Sequence, residues 1–202
     1  MKATKGVLRC LSGAALLAAF ASAAAAQLPA PPPSVGLPPD EPLFLEPPLH
    51  TRERYVLVQL AQNRLYLLEG NRAVWSAPVA TGTGFRLEGK GRSWHFATPR
   101  GLFRVQRKEK DPIWIKPDWA FIEEGLPVPP LGSPLRRQVG MLGTTAIYIG
   151  YELAMHGTSK PELVLQSNPE DRRVSHGCIR LTNEDARTLY HLVEVGTPVL
   201  IY

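Results

Sequence analysis

The stretch YVLVQLAQNRLYLLEGNRAVWSAPVATG, residues 55–82, sets the fold class. Tyr55 to Leu60 and Arg64 to Leu68 are β-branched and aromatic runs around Ala61-Gln62-Asn63, and Glu69-Gly70-Asn71 turns the chain into a third run from Ala73 to Thr81. Runs of that length between turn residues read as a meander of three strands. Gly101 to Val105 continues the alternation, and Thr145 to Gly150 followed by Tyr151 to Met155 reads as a strand pair bent at Gly150. One helix is expected, after Leu181: Thr182 caps, Asp185 follows three residues later, Ala186, Leu189, Tyr190 and Val193 recur at helical spacing, and Gly196 stops it before a last strand from Pro198 to Tyr202. The domain, residues 54–202, is therefore expected to be mainly β with one clear helix near its C-terminus. Residues 82–99 and 114–140, rich in Gly, Pro and charge, read as long surface loops that shape a site.

Upstream of that domain the composition changes twice. Lys2, Lys5 and Arg9 precede an uncharged Ala/Leu run ending in Ala23 to Ala26, the pattern of a cleaved secretory signal over residues 1–26. Residues 27–53 are proline-rich, which favours extended polyproline II and reads as a linker. Signal removal leaves 20 basic against 18 acidic residues, a net charge of +2, and no basic stripe interleaved with aromatics, so no nucleic-acid partner is expected. No stable membrane span remains after cleavage.

Cleavage also leaves Cys178 as the single cysteine of an exported chain, so its thiol is either inert in the core or used for chemistry. Its surroundings are Met155-His156-Gly157-Thr158 and, after a sixteen-residue gap, Ser175-His176-Gly177-Cys178-Ile179-Arg180-Leu181. A thiol near pKa 8.5 needs an imidazole or cation to react at neutral pH. His156, on a separate segment, is assigned as the base because it can face the thiol across a pocket, whereas His176 is an i, i+2 neighbour. The amides of Gly177 and Cys178 are expected to donate to an oxyanion, and Arg180 to fork onto a substrate carboxylate. Cys178, His156 and His176 as zinc ligands is the alternative, with no obvious fourth donor.

These two segments, with Val79-Ala80-Thr81-Gly82 and Thr98-Pro99-Arg100-Gly101-Leu102-Phe103, resemble the signature of the L,D-transpeptidase catalytic domain, the YkuD-like family. The resemblance implies a β-sandwich-like domain and thiol acyl transfer. By it, Cys178 is the nucleophile, His156 the general acid/base, and Gly157 the residue whose carbonyl orients the histidine's second nitrogen. Ser175, His176, Gly177 and Arg180 would shape the oxyanion site and substrate pocket. It further implies peptidoglycan stem peptides as partners, an envelope lipoprotein as one candidate acceptor, a periplasmic or wall-space location, carbapenem acylation of the thiol, and no metal or organic cofactor. An L,D-carboxypeptidase or cross-link hydrolase using the same Cys/His pair is the alternative reading. Two departures touch acceptor choice: the long Gly84 to Phe96 stretch, and Ser133-Pro134-Leu135-Arg136 in place of an Asn-Pro-Leu-Gly turn.

Overall fold

A computed structural model describes residues 49, 53–150 and 152–202; the expected signal and most of the linker lie outside them. The strands are β1 (Arg54–Gln59), β2 (Arg64–Glu69), β3 (Arg72–Pro78), β4 (Thr81–Gly82), β5 (Arg86–Gly89), β6 (Arg92–His95), β7 (Gly101–Arg104) and β8 (Arg107–Lys110). Next come β9 (Ile113–Ile115), the short helix α1 (Asp118–Glu123), β10 (Arg137–Val139), β11 (Thr145–Gly150) and β12 (Leu153–His156). The chain closes with β13 (Arg173–Ser175), β14 (Ile179–Arg180), α2 (Asn183–Leu192) and β15 (Pro198–Ile201).

Two sheets face each other, as the sandwich-like expectation requires. One has the order β3-β2-β1-β15-β7 and the other β14-β12-β11-β8. Period-two alternation sends Val56, Val58, Leu65 and Leu67 of the first sheet and Ile147, Ile149, Met155 and Ile179 of the second into one core, which Ala186 and Leu189 of α2 also enter. Burying each of these side chains contributes about 2 kcal/mol. The opposite face of the first sheet is apolar too, with Tyr55, Leu57, Tyr66 and Leu68 buried and Leu49 packed against them.

The meander is the expected one. Asn63 turns β1 into β2 at φ +44°, a left-handed conformation that asparagine tolerates. The helix also begins where the capping residues place it: Thr182 Oγ1 accepts from the amide of Asp185 at 3.1 Å and donates to its carboxylate at 2.7 Å.

The two supposed loops are more ordered than composition suggests. Arg86–Gly89 and Arg92–His95 form an antiparallel hairpin turned at Lys90 and Gly91, both at positive φ. Ile113–Ile115 pairs with Arg137–Val139, and α1 lies between them in sequence. That helix makes no side-chain N-cap and is held by tertiary contacts, Arg136 to Asp118 at 2.6 Å among them. Among the described residues no helix is long and apolar enough to cross a membrane.

Candidate active site

The cysteine segment is pinned on two sides. On one, β14 runs parallel to β12 with Met155 opposite Ile179 and His156 opposite Arg180, and the Leu181 amide donates to the His156 carbonyl at 2.8 Å. On the other, Arg180 and Ala80 exchange backbone bonds of 2.8 and 2.9 Å, and β13 pairs parallel to β4. Met155 and Ile179 point into the core, so alternation turns His156 and Arg180 to the other face of the sheet. Cys178 immediately precedes β14, and its thiol and the Arg180 guanidinium act on each other's charge.

The local turn around the thiol is built by Ser175 and Thr98. Buried Ser175 donates its hydroxyl to the Cys178 carbonyl at 2.6 Å and accepts from the Gly177 amide at 3.1 Å. Gly177 sits at φ +123°, which a side chain would strain. Buried Thr98 donates to the Gly177 carbonyl at 2.8 Å and accepts from the Gly82 amide at 2.8 Å. Gly82 allows that approach: a methyl there would lie 2.6 Å from the Thr98 nitrogen.

His156 is buried, and its Nδ1 lies 2.6 Å from the Gly157 carbonyl oxygen. A carbonyl only accepts, so Nδ1 carries the proton and Nε2 keeps its lone pair. Burial pulls His156 down to about 4, the Gly157 carbonyl opposes that, nearby Arg180 adds to it, and the Leu142 carbonyl opposes it again. Burial likewise pushes the Cys178 thiol up, while a bond to the Ala154 backbone and the charge of Arg180 pull it back and Glu152 raises it. At neutral pH the resting thiol and the resting imidazole are thus both neutral. The thiol's hydrogen bond runs to the Glu152 carbonyl at 3.5 Å. Glu152 itself is at φ +57°.

One expectation is corrected. The Gly177 amide is not free for an oxyanion, because Ser175 Oγ holds it; the Cys178 amide makes no hydrogen bond to the described residues. His176 stands on the far side of Gly177, whose φ of +123° departs from that of an extended strand. Its ring stacks on Trp119 at 4.4 Å, meets Phe96 edge-on at 4.5 Å, and its Nε2 lies 2.9 Å from the Glu123 carboxylate. His176 therefore clasps α1 to the cysteine segment.

Among the described residues no three His, Cys, Asp or Glu side chains converge as metal ligands do. The Arg180 guanidinium is half-buried and has no carboxylate or carbonyl partner among the described residues. Burial and the proximity of the thiol are what act on its charge. Sequence reasoning missed Thr98 as a lock, Glu123 as the partner of His176, and Asn183, whose Oδ1 accepts from the Thr144 amide at 3.1 Å beside Gly157.

The family model described as the L,D-transpeptidase catalytic domain, YkuD, matches residues 53–201. The Bacillus subtilis protein YqjB, an L,D-transpeptidase by name, is 34% identical over 149 residues, covering 73% of this chain and 70% of that protein. ErfK/SrfK of Salmonella typhimurium, likewise so named, is 32% identical over 154 residues, and the match covers 72% of this chain but 43% of the longer relative. Among solved structures, the L,D-transpeptidase from Xylanimonas cellulosilytica superposes with a TM-score of 0.54 at 25% identity, over 77% of this chain and 63% of that one. The catalytic domain of the Enterococcus faecium L,D-transpeptidase gives 0.52 at 20% identity, over 76% and 99%, a likeness of fold alone.

Proposed function

The chain belongs to the L,D-transpeptidase catalytic-domain family, and on that premise we propose that it is an exported cysteine acyltransferase acting on peptidoglycan stem peptides in the periplasm or wall space. The observation that carries the reading is the buried His156 imidazole, its Nδ1 held by the Gly157 carbonyl at 2.6 Å, on the strand that pairs with the segment following Cys178 and carrying Arg180.

In this reading the Cys178 thiol passes its proton to His156 Nε2 as sulfur attacks the L-centre carbonyl of the diaminoacid in a tetrapeptide stem. The Cys178 amide donates to the oxyanion, a bond whose loss typically costs about 3 kcal/mol of transition-state stabilisation. Collapse breaks the bond to D-alanine, His156 returns the proton to the departing amine, and a thioester remains. An acceptor amine then loses a proton to His156, attacks the thioester, and restores the thiol. The acceptor is the diaminoacid of a second stem, giving a 3-3 cross-link, or the terminal lysine of an envelope lipoprotein. Arg180 supplies the guanidinium for a substrate carboxylate, which its lack of a protein partner leaves it free to do.

The test is to incubate residues 27–202 with tetrapeptide-stem fragments and weigh the products. Cross-linked dimer with loss of D-alanine is expected. Tripeptide alone would make water the acceptor and the protein an L,D-carboxypeptidase, and unchanged tetrapeptide would overturn the reading.

A further inference from the structure

Two glycines and one side-chain amide meet behind the His156 ring. Asn183, the first residue of α2, directs Oδ1 at the Thr144 amide, 3.1 Å away, and lies so close to Gly143 and Gly157 that a methyl on either would collide with that oxygen. A methyl on Gly143 would also come within 2.5 Å of the Gly157 carbonyl carbon and 2.7 Å of its Cα. Gly143 is at φ +65°, closing a turn in which its amide donates to the Gly140 carbonyl at 3.1 Å. The Thr144 hydroxyl returns to the Asn183 carbonyl at 3.5 Å, and the Gly157 amide donates to the Thr145 carbonyl at 3.1 Å. The 143–144 turn, the Gly157 peptide and the Asn183 side chain thus form a stack with no room for a Cβ and no play along it.

The carbonyl of that stack is the one that accepts from His156 Nδ1. We infer that Asn183 is a positioning residue for His156: by holding the Gly157 peptide in place it fixes the ring in the tautomer that leaves Nε2 bare. It touches neither thiol nor substrate. Its own position is set by α2, whose Ala186 and Leu189 are embedded in the core and whose start is capped by Thr182. The Thr144 amide needs an acceptor and the glycine backbones leave a narrow slot, which together call for a short planar side chain carrying an oxygen. The inference rests on the reading of His156 as the base.

Two readouts test it together, the imidazole N–H resonances in a 15N-edited NMR spectrum and the rate of acylation by a carbapenem. The parent should show a His156 Nδ1–H signal that exchanges slowly with water. Asn183→Ala should lose that signal and acylate roughly ten- to a hundredfold more slowly, the scale on which small misplacements of a catalytic group act. Asn183→Asp keeps an acceptor for Thr144 at a helix N-terminus, where a carboxylate is favoured. It should retain the signal, acylate within about threefold of the parent by the same argument, and move the acid limb of the pH profile upward, because an anion beside the Gly157 peptide favours the imidazolium.

A folded Asn183→Ala with signal and rate unchanged would overturn the inference. If that variant does not fold, Asn183→Asp decides: a lost signal or an unmoved acid limb would overturn it. A parent that shows the slowly exchanging signal but takes up no carbapenem would count against the proposed chemistry and leave the positioning intact.

Discussion

The Thr98 hydroxyl donates to the Gly177 carbonyl, and through this 2.8 Å bond the segment between β6 and β7, 79 residues earlier in the chain, sets the backbone next to Cys178. The same oxygen accepts from the Gly82 amide, so one buried hydroxyl serves two segments. Thr98→Val keeps the shape and removes both bonds, leaving a buried acceptor and a buried donor unpaired. The expected loss is about 2 kcal/mol in urea unfolding, together with slower carbapenem acylation, and Thr98→Ser should restore most of both. Equal stability of Thr98→Val and parent would contradict this.

Acid stability reports on His156. Its folded pKa, lowered by burial to about 4, lies below the 6.5 of an exposed imidazole. Between these values the unfolded chain holds a proton that the folded chain does not, so stability rises with pH across the window and is fully present above it. Lowering the pH from 7 to 4 should remove about 3 kcal/mol through this group. Urea unfolding of parent and His156→Gln at both pH values checks it: the parent should lose that much more than the variant, and equal losses would be the contrary result.

Thiol reactivity follows from burial and from the charges around Cys178. With its pKa raised first by desolvation, the thiol should react with uncharged iodoacetamide along a pH curve whose midpoint lies above that of a free thiol. Arg180 pulls the thiol down, so Arg180→Met should shift the midpoint further up. A reactive thiolate below neutral pH in the parent would refute the neutral resting pair.

Lys108 caps α2. Its ammonium donates to the carbonyls of Tyr190 at 2.9 Å and Val193 at 2.6 Å, and lies 3.5 Å from Glu194. A cation at a helix C-terminus satisfies orphan carbonyls and the helix dipole together. Lys108→Met, which keeps the apolar stem, should cost about 2 kcal/mol and leave the acylation rate of the folded protein unchanged. Thermal and urea unfolding measure it; an unchanged midpoint would mean the cap contributes nothing.

The meander, the late helix and the family were legible because each rests on a local pattern: alternation from Tyr55, the Thr182 cap, and two short motifs. The hairpin at Arg86–His95 was not, although Lys90-Gly91 is a two-residue turn, because its strands carry charge on both faces and stand exposed. Helix α1 was hidden for another reason: six residues give little periodicity, and its hold comes from distant partners, Arg136 on Asp118 and His176 on Glu123. At the site, residue types singled out Cys178 and His156 as candidates but said nothing of the bonding of the turn. Gly177 could be read as a flexible point, yet only the fold shows that Ser175 takes its amide and that His176 turns away to Trp119.

The central claim is that Cys178 is an acylable nucleophile activated by His156. Intact-protein mass spectrometry after brief exposure of residues 27–202 to a carbapenem, beside Cys178→Ala and His156→Ala, tests it most directly. One adduct is expected on the parent, none on Cys178→Ala, and a much slower one on His156→Ala. No adduct on a folded, reduced parent, or one that persists without the thiol, would contradict it.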